Sequence, residues 1–83
     1  METYLLIVRS VTQAQHMVLI LEKCGIHAVI LRAPTGLTTR GCSYAIRIRE
    51  NQWNAARLCL QRAELSPLGI YRRNGNIYSE VIV

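Results

Sequence analysis

No stretch of the 83-residue chain approaches the roughly 18 uninterrupted apolar residues that a membrane-spanning helix needs. The opening METYLLIVRS carries its acid before the apolar run and its arginine after it, the reverse of a secretory signal. The expectation is a soluble, cytoplasmic protein. Cysteine is sparse: there are three, at positions 24, 42 and 59, an odd number without Cys-x-x-Cys spacing. That pattern supports neither a disulfide framework nor a zinc site, so reduced thiols are expected, with no metal and no cofactor. There is no internal repeat, no low-complexity segment and no run of five like charges. Ten basic residues stand against five acidic, for a formal charge of +5, and nine of the ten are arginines scattered along the chain. Such a bias could attract nucleic acid, an acidic protein or a small anion and selects none of them; a solvated basic surface is its simplest reading.

What is present is enough for one core. With 51% hydrophobic residues, the chain suits a single domain over residues 1–83. TYLLIV, residues 3 to 8, is a continuous apolar run of the kind found in a central strand. Ser10 is placed as a helix N-cap with Gln13 three positions on, and Val11, Ala14, Met17, Val18, Leu21 and Cys24 recur along one stripe of the helix that follows, with Cys24 on its flank. Gly25 suits a left-handed helix terminus.

A second strand, IHAVILR, ends before Ala33-Pro34, where proline removes a backbone donor. From Cys42 to Arg49 the pattern alternates, as in a strand covered on one face. A second helix is predicted from about Asn51, as cap, to Glu64, with Trp53, Ala56, Cys59, Leu60 and Ala63 inward. Two final strands, LGIYRR and NIYSEVIV, flank Asn74-Gly75, a favoured hairpin pair, and that turn would set Tyr71 opposite Tyr78.

The order predicts an α+β fold: a ferredoxin-like βαββαβ split sandwich, with an antiparallel sheet, both helices on one face and an extra C-terminal hairpin strand. The first and third strands would lie in the middle and the second and fifth at the edges. An edge could pair with a second copy, so a homodimer is a plausible assembly.

TRGCSYAIRI, residues 39 to 48, has two readings. Arg40, Gly41, Tyr44 and Ala45 follow the outline of an RNA-recognition strand, but Cys42 and Arg47 stand where its stacking aromatics belong. Turning Tyr44, Ile46 and Ile48 toward the helices leaves Arg47 and Arg49 on the open face, with no aromatic from this strand beside them. Sequence-specific RNA binding is therefore not expected. In the other reading the loop delivers Cys42 to the start of the first helix, where amide donors, the helix dipole and Arg40 would favour the thiolate. A small core residue at the head of a strand is the structural alternative.

SVTQA at residues 10 to 14, CGI at 24 to 26 and the segment RAPTGLTTRGCSYAIRI resemble a selenium/sulfur carrier-like family of small bacterial proteins. The resemblance implies that Cys42 is the family cysteine, that Pro34 opens its loop, that Thr38 and Thr39 supply hydroxyls before it, and that Ser10 and Thr12 mark the facing helix end. Ser43 stands where members commonly have glycine. The expected function is a carrier holding a persulfide or perselenide on Cys42, supported by Arg40, Gly41, Thr38, Thr39, Ser10 and Thr12. Its partners would be a sulfur or selenium donor and an acceptor. This reading leans to a carrier or binding protein over an enzyme. The alternative is a ferredoxin-like regulatory or binding module, dimeric, in which Cys42 is incidental.

Overall fold

The computed structural model describes residues 2–33, 44–75 and 77–81. Strand β1, Glu2–Val8, is the central element, and its Leu5, Leu6, Ile7 and Val8 are all at most 2% exposed. That two-sided burial is why its sequence is a continuous apolar run.

Helix α1, Val11–Lys23, starts at Ser10, whose hydroxyl accepts from the Gln13 amide at 3.2 Å. Gln13 Oε1 in turn accepts from the Arg9 amide at 3.2 Å, one residue earlier than a standard capping box. Ala14, Met17 and Leu21 are fully buried, whereas Val11 and Cys24 of the expected stripe are exposed. At the far end Gly25 has φ +79, and the amides of Gly25 and Ile26 donate to Glu22 and Leu21 carbonyls, closing a Schellman motif.

Strand β2, Ala28–Arg32, and strand β3, Tyr44–Arg49, lead into a 3₁₀ turn, Glu50–Gln52, and helix α2, Trp53–Arg62. This helix is shorter than its periodicity suggests. Asn51 lies inside the 3₁₀ turn, and no side chain caps α2 at Gln52. Ala63 is the exposed C-cap, and Leu65 packs against the core in its place. The reason is a second Schellman closure, in which Glu64 takes φ 57 and the Leu65 amide donates to the Leu60 carbonyl at 3.0 Å.

Strands β4, Gly69–Asn74, and β5, Ile77–Glu80, complete one five-stranded antiparallel sheet of order β2-β3-β1-β4-β5. Among the described residues the fold is mixed α+β with two α-helices, and β5 carries the order beyond that of a plain four-stranded split sandwich. Leu6, Val8, Ile46 and Ile48 form the core with Met17 and Leu21 of α1 and Ala56 and Leu60 of α2. Tyr4 stacks on Trp53 over this face, with ring centroids 4.4 Å apart and planes 6° from parallel. The inward facing of Tyr44, Ile46 and Ile48 is thus as the alternation predicts.

The hairpin register differs from expectation. Asn74 pairs with Ile77 and Arg73 with Tyr78, so Gly75 directly follows the last paired residue of β4, and Tyr71 sits opposite Glu80. Gly-Asn is as competent in a two-residue turn as Asn-Gly, and Gly75, at φ +64, takes the first turn position.

Candidate functional site

Of the residues singled out for chemistry, Ser10 and Thr12 lie in the described structure, both exposed at the start of α1. Ser10 Oγ is engaged as the cap. Cys42, Arg40, Gly41, Thr38, Thr39 and Pro34 lie outside the described residues. The strand positions that flank them are defined: Arg32 pairs with Tyr44, and Tyr44 pairs on its other side with Val8, two residues before Ser10. The β2–β3 connection therefore starts and ends beside the corner where β1 passes into α1.

The other two cysteines correct an expectation. Instead of separate reduced thiols, Cys24 and Cys59 form a disulfide, with their Cα atoms 6.5 Å apart and a sequence separation of 35. Cys24 is the exposed C-cap of α1, and Cys59, 6% exposed, lies in the inward stripe of α2. The Cys59 sulfur is also 3.4 Å from the Ile20 carbonyl oxygen. A reduced thiol would donate a weak hydrogen bond there; in the disulfide, which has no S–H, it is a contact only. Sequence places the two cysteines on helices that share one sheet face, but their pairing depends on how those helices pack.

Two further features lie elsewhere. A cleft of about 420 Å³, lined among others by Trp53, Arg57, Leu60, Leu65, Pro67 and Ile70, opens between α2 and β4, and neither Ser10 nor Thr12 borders it. At the start of β1, Glu2 pairs with Arg72 at 3.1 Å. The neighbouring Glu50 carboxyl is held above its usual range, first by its hydrogen bond to Glu2 and then by the like charge of Glu2. Among the described residues no group of three His, Cys, Asp or Glu side chains could hold a metal ion; His16, on α1, and His27, just before β2, are both exposed.

Residues 3–72 match the family described as "Putative Se/S carrier protein-like". The chain belongs to this family. The match spans β1 through most of β4, so it covers the α1 corner, all three cysteines and the segment between β2 and β3. No curated protein and no solved structure matches the chain.

Proposed function

We propose that this ferredoxin-like domain carries sulfur or selenium on Cys42 as a persulfide or perselenide. Membership of the Se/S carrier-like family, over a span that includes Cys42, is the observation that carries the reading. The disulfide adds weight: three cysteines less the two that are joined leave Cys42 as the cysteine available for transfer.

Loading is a thiol exchange. The Cys42 thiolate attacks the outer sulfur of a donor's persulfide, the donor's S–S bond breaks, its inner sulfur leaves as a thiolate, and Cys42 becomes the persulfide. Delivery repeats the step, with the acceptor's nucleophile attacking the outer sulfur and Cys42 leaving. The pairing of Tyr44 with Val8 supports a Cys42 position near the first turn of α1, where amide donors and the helix dipole favour an anionic sulfur. Ser10, though its oxygen accepts from Gln13, can still donate its hydroxyl hydrogen; Thr12, Thr38, Thr39 and the Arg40 guanidinium would add donors, and Gly41 would let backbone amides approach. The partners are a donor and an acceptor protein in the cytoplasm, and the exposed sheet edges β2 and β5 would serve a homodimer.

The test is intact-mass measurement after incubation with a low-molecular-weight persulfide or perselenide donor, whose outer sulfur or selenium Cys42 takes while the donor's inner sulfur leaves as a thiolate. The parent chain is expected to gain one sulfur or selenium atom, and so is a Cys24→Ser, Cys59→Ala variant. Equal loading of Cys42→Ser would sink the proposal.

A further inference from the structure

The sheet face opposite the helices is a second surface with its own chemistry. The register places Arg49, Thr3, Arg73 and Tyr78 in one row across β3, β1, β4 and β5, and Arg47, Leu5 and Tyr71 in the next, about 7 Å along the strands. Leu5, Ile7 and Ala45 are buried, with Leu31, Ala33, Tyr71 and Tyr78 packed against them, so these rows set Arg47, Arg49 and Arg73 beside Thr3 and two partly buried tyrosines. Arg47 and Arg49 are exposed, and among the described residues no carboxylate pairs with Arg47, Arg49 or Arg73. The Arg73 guanidinium lies 5.9 Å from the Tyr78 ring centroid, and its Nε donates to the Gly75 carbonyl at 2.8 Å, which fixes it over the face. Among the described residues, three cations on the face stand against one acid, Glu80, opposite Tyr71.

We propose that this face binds single-stranded nucleic acid. The third strand lacks stacking aromatics, which is why its sequence argued against such a role, but β4 and β5 supply Tyr71 and Tyr78 to the same face. Arginine forks match phosphate oxygens, and tyrosine rings or the guanidinium plane of Arg73 offer surfaces on which any base can stack. An acidic peptide would use the arginines and leave the rings without a role, so the mixed layer favours the polynucleotide. The binding is weakly sequence-selective, because stacking and phosphate pairing read no base edges. It does not depend on Cys42.

The experiment is fluorescence anisotropy of a labelled oligouridylate of about twelve nucleotides titrated with the full chain. Dissociation constants in the non-specific range, about 1 to 100 μM, are expected at low salt. Three phosphate contacts give a log–log salt slope of about −2, or roughly a twentyfold loss from 50 to 200 mM. Arg47→Glu with Arg49→Glu should abolish binding, and Tyr78→Leu, which keeps the apolar packing, should weaken it by about tenfold, with Tyr78→Trp restoring it. Circular dichroism verifies that each variant is folded. No anisotropy change up to about 100 μM protein at low salt, binding indifferent to the arginine reversals, or polyglutamate competing as well as oligouridylate would each overturn the proposal. Loss of sulfur loading in Cys42→Ser with oligonucleotide binding intact separates this inference from the carrier reading.

Discussion

Cys24 and Cys59 staple the end of α1 to the middle of α2, and they are the one covalent link between elements that otherwise meet through packing over the sheet. Closing a loop of 35 residues removes chain entropy from the unfolded state, which stabilises the fold by about 3–4 kcal/mol in the loop-entropy account. Reductant is therefore expected to lower the free energy of unfolding by about that amount, and to have no effect on a Cys24→Ala, Cys59→Ala variant. Thiol titration in denaturant is the direct check. Three cysteines less the two in the bond leave one reactive thiol before reduction, and all three should react after it. Three thiols without reductant would show that the bond does not form.

The two helices end with the same hydrogen-bond closure on different residues. Gly25 occupies the left-handed position after α1 at φ +79, and Glu64 occupies the equivalent position after α2 at φ 57. A Cβ at Gly25 would meet nothing within 4 Å, so Gly25→Ala tests backbone conformation alone. It is expected to destabilise by about 1 kcal/mol, and Glu64→Gly to stabilise by a similar amount. Urea midpoints at constant m-value would measure both. Effects of the same sign would mean that the closures are not equivalent.

The order of strands and helices, the Ser10 cap and the Gly25 terminus were legible because each rests on local chemistry: periodicity, a side-chain oxygen, a missing Cβ. The inward facing of Tyr44, Ile46 and Ile48 followed from the cost of burying Arg47. What escaped was set between elements. The Cys24–Cys59 bond depends on how two helices pack, and no spacing along the chain encodes it. The hairpin register escaped because Asn74-Gly75-Asn76 contains two competent turn pairs, and the two choices differ by two residues of register. Leu65 replaced Ala63 in the core because a non-glycine residue, Glu64, took the left-handed conformation. At the carrier site, sequence identified Cys42 through its family resemblance, while the register of Tyr44 with Val8 supplied the nearest structural frame.

The acidic pair at the foot of the sheet makes stability depend on pH in an uncommon direction. Glu50 shares a hydrogen bond with Glu2, which requires a proton on one carboxyl, and the like charge of Glu2 opposes ionisation further. Arg72, paired with Glu2, opposes both effects without cancelling them. The Glu50 carboxyl is thus raised in the folded chain from an ordinary value of 4.5. The folded state then binds more protons than the unfolded state between these two values. Stability from this group is present below 4.5 and is lost as pH rises through the raised folded value. Glu50→Gln keeps a hydrogen-bond donor toward Glu2 and removes the charge conflict. Its urea midpoint is expected to match the parent near pH 4 and to exceed it near pH 7, with the gap opening as pH rises through the raised Glu50 value. Arg72→Gln should widen that pH dependence in the parent by removing the cation that opposes it. Parallel midpoint curves for parent and Glu50→Gln across the whole range would refute the shared proton.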